Sequence, residues 1–372
     1  MGLTITSIEA IPVAAHRTKP MISAGGMGPL RVSEFGIVRV RTSDGVEGLG
    51  EISMNGGRTG AIQCDDVTRI LGPALLGRDP TQLNDALALM DEVLPWPATE
   101  PSKAAVEMAL LDITGKVRGL PVHELLGGKV RDRVHLRWGL AFGPPETGVE
   151  EAQRYVEQGF RTIKIKIGRP GTGLDDEMVS AVRSALGDAV NIVVDANSGF
   201  RTPQEAVQEL HRLERHRLQL VEQPVSRRHL RDLAWVRARI ETPILADESM
   251  RHWSEAFDIA REGAADVLAI YVSEAGGLLA AMKAAAIGEA AGLLVAIGSQ
   301  CELGIGSAAM AHAAVCMPNL AYESDITGQL RYPIDIINED LDYSDGAIWP
   351  PTAPGLGVTL NEEVLARWRM DA

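Results

Sequence analysis

TIKIKIG, residues 162–168, is the stretch from which the architecture can be worked out. Its residues alternate, so on an extended chain Lys164 and Lys166 share one face while Ile163, Ile165 and Ile167 share the other. In a parallel barrel the isoleucine face meets the covering helices. Both lysines then point into the barrel, where a bare ammonium is costly unless opposite charge is close. Similar β-branched runs recur downstream as NIVVDA (191–196), QLVEQP (219–224), PILADES (243–249), DVLAIYV (266–272) and LLVAIG (293–298), with alanine-rich helical stretches between them. Polar residues end these runs on a beat. Lys166, Asp195, Glu222, Asp247, Tyr271, Ser299 and Asp325 follow one another at intervals of 24 to 29 residues, close to the length of a strand, a helix and two loops. With VHLRWGLAF (134–142) as first strand and LAYESD (320–325) as last, the pattern predicts an α/β chain folded as a (β/α)8 barrel, a modified TIM barrel. A doubly wound open sheet fits less well, because no GxGxxG follows the first strand and open sheets gather their ligand groups at one switch point.

The charge opposite the lysines is supplied by Asp195, Glu222 and Asp247, which close the third, fourth and fifth runs at the end where barrel enzymes place their chemistry. Any one of them alone would read as a helix cap or a surface acid. Three converging carboxylates would raise one another's pKa without a cation. A divalent ion bound by oxygen alone, with neither cysteine nor histidine, suits Mg2+.

The first 128 residues have a different texture. They read as an α+β unit with a hairpin in VSEFGIVRVRTSDGVEGLGE turned at Ser43, Asp44 and Gly45. Two glycine-rich stretches, HRTKPMISAGGMGPL (16–30) and MNGGRTG (54–60), read as loops, and His16, Met21, Ile22 and Met54 lie in them. Residues 129–330 carry the barrel beat, and 331–372 lose it and are expected to pack back on the N-terminal unit. A net charge of −14 argues against nucleic acid and anionic membrane as partners. No apolar run approaches a membrane span, and three cysteines without metal spacing fit a reducing cytoplasm. A locally bound cation still allows a small anionic substrate.

The ordered set KIK (164–166), DAN (195–197), EQP (222–224) and ADES (246–249) closely resembles the muconate lactonizing enzyme subgroup of the enolase superfamily. The resemblance extends over SKAAVEMALLDITGK (102–116), LPVHELLGG (120–128) and GSQCELGIGSAA (298–309). It implies an N-terminal capping domain that closes over the barrel mouth, Asp195, Glu222 and Asp247 as Mg2+ ligands, and Lys166 as the acid/base. Lys164 would lower the pKa of Lys166 and help stabilise an enolate. Glu248 and Glu302 are implied as residues behind the metal or supporting the fold, and the family often forms homo-oligomers.

Tyr271 departs from that pattern, standing where lactonizing and dipeptide-epimerase types carry another lysine. It reads as a proton donor or as a bulky wall. Asn197 could bond the metal site or cap its loop, while Ser299 and Asp325 could contact substrate or stand behind it. The expected activity is removal of the proton α to a carboxylate to give a metal-stabilised enolate, of the cycloisomerase or epimerase type. A hydro-lyase using the same enolate, a Schiff-base aldolase using either lysine, and a non-catalytic metal-binding barrel are the alternatives.

Overall fold

The computed structural model describes residues 2–21, 29–54, 58–97 and 99–370. Strands β1 (Ile5–Met21), β2 (Leu30–Thr42) and β3 (Glu47–Ile52) form an antiparallel sheet in the order β1-β2-β3. The predicted hairpin is present. Gly45, at φ 79, occupies the left-handed turn position, and its N–H donates to Thr42 O at 3.0 Å. The first loop is shorter than its composition suggested, because β1 runs on through His16 and pairs up to Met21↔Leu30. Lys19 and Pro20 fall in an irregularity of that ladder, between the pairs His16↔Val32 and Met21↔Leu30. Residues 22–28 and 55–57, including Ile22, lie outside the described residues.

The buried helix Glu100–Arg118 packs on this sheet. It can approach because the sheet residues beneath it are glycines. A Cβ on Gly48 would stand 2.1 Å from Ala109 O, and one on Gly50 would stand 1.8 Å from Ala105 O. Helix and sheet backbones are therefore in contact, and even alanine at either site would push them apart.

The second unit is built on parallel strands in sequence order: β5 (Arg137–Leu140), β6 (Thr162–Lys166), β7 (Asn191–Asp195), β8 (Leu220–Glu222), β9 (Ile244–Ala246), β10 (Val267–Ile270) and β11 (Leu294–Ile297). The expected eighth strand is a closing segment without a continuous ladder. Leu320 bridges Val295 and Ser324 bridges Leu136, both parallel. Main-chain bonds from Asp325 N to Ile297 O (2.9 Å) and from Arg137 N to Ser324 O (3.0 Å) join the last strand to the first. The ring is thus closed. Its outer wall includes Ile163, Ile165, Ile167, Ile192 and Val194, packed with the helices, and its lower interior is filled by Val193, Leu220, Leu245, Val267, Ala269 and Ala296. This alternation accounts for the period-two pattern.

The C-terminal stretch touches both units. β12 (Ala347–Ile348) pairs with β4 (Val134–His135) beneath the barrel, while Met370 N donates to Pro12 O of β1 at 2.9 Å. Buried carboxylates join the units elsewhere. Glu51 of β3 accepts from Leu303 N (2.7 Å) and Gly306 N (2.8 Å) at the start of the barrel helix Gly304–Ala314. Glu107 accepts from Leu278 N and Leu279 N at the start of the helix Leu278–Ala290. Each carboxyl group thereby satisfies amides that a helix N-terminus leaves without partners.

Candidate active site

Strand register builds the centre. Lys166 pairs with Asp195, and Asp195 with Glu222, so these three residues form one row across β6, β7 and β8. Paired residues on parallel strands face the same way, here inward. Asp247 follows the end of β9. Oxygen atoms of Asp195, Glu222 and Asp247 lie within 4.8 Å of one another, and all three residues are buried.

The lysines meet these acids from β6. Lys166 Nζ donates to Asp195 Oδ2 (2.5 Å) and to Asn197 Oδ1 (2.6 Å). Lys164 Nζ, deeper in the barrel, donates to Glu222 Oε1 (3.0 Å) and Asp325 Oδ2 (2.8 Å). Burial opposes the charge on Lys164, but Asp325 and Glu222 outweigh it, so the ammonium holds its proton above the ordinary lysine range. Asp247 shows the converse. Burial and the nearby Glu248 and Asp195 push its carboxyl well above the usual carboxylate range. Burial and Asp195 do the same to Glu222.

Asp195 differs: burial is outweighed there by Lys166 and Lys164, which hold its carboxyl below the ordinary range. Glu248 Oε2 is buried without a hydrogen-bond partner among the described residues. Three carboxylates with converging oxygens, two of them with raised pKa values, and no sulfur or imidazole form a donor set that fits a hard divalent cation.

The remaining predicted residues are distributed around this centre. Asn197, held at φ 42, bridges Lys166 and Glu248 through its two amide atoms, with Nδ2 to Glu248 Oε1 at 3.2 Å. Asp325 gives both oxygens to cations, accepting from Arg137 Nε at 3.0 Å and Nη2 at 2.5 Å as well as from Lys164. Ser299 lines the same cavity and donates to Glu302 Oε2 (2.5 Å). Glu302 also accepts from Gln300 N (3.0 Å) and so shapes the loop after β11. Tyr271, directly after β10, is 8% exposed and borders the cavity. Its ring occupies the space over Gly298, where a Cβ would stand 2.2 Å from it. Burial foremost, then Asp247 and Glu222, raise the phenol well above its ordinary pKa, so it keeps its proton.

Sequence reading missed several neighbours. Arg137 is 1% exposed and also approaches Glu222 Oε2 at 2.9 Å. The alternation of Leu136, Trp138 and Leu140 could have pointed it inward, as it did the lysines. Gln223, at φ 35, accepts through Oε1 from Asp247 N (3.0 Å) and Ser249 N (3.1 Å), tying the fifth-strand acid to the fourth strand. The cavity, about 550 Å³, extends away from the acids toward Trp138, Tyr155, Arg17 and Arg331.

A capped parallel barrel with an acid triad at its strand ends and two lysines on its second strand defines a class of enzyme that stabilises carbanions next to carboxylates. The chain matches the family described as Mandelate racemase / muconate lactonizing enzyme, N-terminal domain, over residues 7–127 and the family Enolase C-terminal domain-like over 148–364. It is 35% identical to muconate cycloisomerase 1 of Pseudomonas putida, with 99% of each chain covered, and 34% identical to L-Ala-D/L-Glu epimerase of Bacillus subtilis (strain 168), covering 96% of this chain and 97% of that one. The crystal structure of muconate lactonizing enzyme from Pseudomonas fluorescens complexed with muconolactone superimposes with a TM-score of 0.95 over the whole of both chains at 35% identity. The chain belongs to the muconate lactonizing enzyme subgroup of the enolase superfamily, and is an enzyme of its cycloisomerase or epimerase type acting on a carboxylate substrate.

Proposed function

We propose that this chain is a cycloisomerase in which the proton moves on one face of the substrate only, with Lys166 as the acid/base. The observation that carries this reading is Tyr271. The barrel wall at this point carries a buried phenol, which burial and Asp247 keep protonated. A second base, which epimerisation would need on that face, is therefore missing among the described residues.

Mg2+ held by Asp195, Glu222 and Asp247 would supply positive charge against the enolate oxygens. In the ring-opening direction Lys166 takes the proton from the carbon next to the carboxylate, and the electron pair left behind spreads into that carboxylate as an enolate. The pair then returns to form a C=C bond as the ring C–O bond at the neighbouring carbon breaks. Ring closure reverses each step. Lys164, kept charged by Glu222 and Asp325, offsets the added negative charge, and Asn197 orients Lys166 from its Oδ1. Tyr271 closes the opposite face.

The same reading assigns residues 1–128, completed by 331–372, to the cap and 129–330 to the barrel. It places the enzyme in the cytoplasm as a homo-oligomer, supported by three unpaired cysteines and by the family resemblance.

Muconolactone in D2O with Mg2+ tests the scheme. The enzyme should exchange the α proton, Lys166→Ala should abolish exchange, and Tyr271→Phe should retain it. Exchange at the native rate without Lys166 would place the base elsewhere. Loss of both turnover and exchange in Tyr271→Phe would give the phenol a part in the first step and end the one-face scheme.

A further inference from the structure

A cation that cannot act as a base lies under the centre. Arg137 starts one layer below Lys164, since it is Gly139 of β5 that pairs with Lys164 while Arg137 pairs with Thr162. Arg137 and Gly139 share the inward face of β5, where a Cβ on Gly139 would stand 3.8 Å from Lys164 Cε. Glycine adds no side chain above Arg137, and the guanidinium extends into that space. Its Nε and Nη2 donate to Asp325 Oδ1 and Oδ2, and Nη2 lies 2.9 Å from Glu222 Oε2. Lys164 takes the other Glu222 oxygen and shares Asp325 Oδ2. Two cations and two carboxylates thus form a closed ring that runs from Arg137 through Asp325, Lys164 and Glu222, and of these only Glu222 belongs to the acid triad.

An arginine keeps its proton inside a protein, so Arg137 brings positive charge beneath the acids without bringing a second base. Tyr271 faces Asp247, Glu222 and Asp325 from the end of β10 and brings none, because its buried phenol stays protonated. Glu222 therefore shares its charge between Lys164 and Arg137 before a metal arrives, and a carboxylate engaged by two cations attracts another less strongly. Its Oε2 still accepts no hydrogen bond among the described residues, so the lone pairs of that atom are open to a metal. Asp325 has both oxygens on cations. Were the guanidinium absent, Asp325 would act on Lys164 alone.

We infer that Arg137 is a positioning residue for the reaction, which moderates the hold of Glu222 on Mg2+ and keeps Asp325 from neutralising Lys164, the charge that faces the enolate. This rests on the reading of the acids and lysines given above. Two effects of opposite sign separate this role from plain support of the fold. Without the guanidinium, Glu222 binds Mg2+ more tightly, while the ammonium of Lys164, now drawn by two carboxylates, stabilises the enolate less. A side chain that only propped up the barrel would weaken both when lost.

Calorimetric titration of the EDTA-stripped, dialysed protein with MgCl2, beside α-proton exchange of muconolactone in D2O at saturating Mg2+, tests the assignment. Arg137→Met should bind Mg2+ about tenfold to a hundredfold more tightly than the native protein and exchange the proton more slowly by a similar factor. Arg137→Lys keeps the charge without the two-pronged geometry and should return Mg2+ affinity to near the native value. Asp325→Asn leaves both cations in place and turns the guanidinium wholly toward Glu222, so Mg2+ should bind more weakly. That variant carries the test if Arg137→Met does not fold. Unchanged or weaker Mg2+ binding by Arg137→Met, native-rate exchange in it, or unchanged binding by Asp325→Asn would overturn the role, and none of these results touches the one-face scheme. A native protein that exchanges no proton would sink the scheme, whereas tighter Mg2+ binding by Arg137→Met would still uphold the moderation of Glu222.

Discussion

At the scale of single residues the centre is a charge lattice, and its least expected member is Arg137. This guanidinium is buried beneath Lys164 and shares Asp325 and Glu222 with it. Removing one partner of a buried ionic cluster leaves the rest uncompensated, at a cost of about 3–5 kcal/mol. Arg137→Met should therefore destabilise the fold by roughly that amount in urea unfolding. An Arg137→Met/Asp325→Leu double variant should recover part of the loss, and additive losses in the double variant would show that the two side chains do not act as a pair. Strand alternation made the lysines and acids legible, because each lies on a run with a clear apolar face. Arg137 sits on a run with an equally clear face, but without a neighbouring cation of the same phase to draw attention to it. Arg17 and Arg331 were beyond reach, since one lies in a stretch whose glycines suggested a loop and the other where the barrel beat fades.

At the scale of elements, the joints between cap and barrel depend on carboxylates that no local pattern marks. Glu107 reads as an ordinary helical position, yet it is fully buried against the N-terminus of the helix Leu278–Ala290. Burial pushes its carboxyl up to about 7 from 4.5, with the Leu279 and Leu278 amides pulling the other way. A raised folded pKa means the native state keeps the proton longer than the unfolded chain. The contribution is complete below pH 4.5 and fades as pH climbs through about 7. Glu107→Gln removes that titration, so the stability advantage of the native protein over the variant should shrink between pH 5 and pH 8, by roughly 2–4 kcal/mol. Urea unfolding of both proteins across that range measures it, and a constant gap would refute the assignment. The eighth strand teaches a related lesson. LAYESD was legible as barrel-closing sequence, but single bridges at Leu320 and Ser324 do the closing, because side chains there, such as Ser324 Oγ to Ile297 N at 3.0 Å, replace part of the ladder.

At the scale of the whole molecule, the acid triad holds strain that a cation would relieve. A ligand that binds only the folded state adds about 2.7 kcal/mol at a hundredfold excess over its dissociation constant. Mg2+ should accordingly raise the melting temperature, EDTA should reverse the rise, and Asp247→Asn should blunt it. A melting temperature indifferent to Mg2+ in the native protein would argue against the triad as its site. The capped-barrel architecture was readable because a beat of strand plus helix survives any loop sequence, whereas the contacts between cap and barrel join residues hundreds of positions apart and leave no periodic trace. Those contacts bear on how such enzymes can be recombined. Glu51 and Glu107 are buried carboxyl groups on the cap whose partners are amides of barrel helices, so a crossover placed between the units separates each acid from the backbone that satisfies it. Chimeras that exchange caps should assemble only where donor and recipient present these acids and helix ends in the same register, and crossovers inside a βα unit, away from the two joints, should be the better tolerated.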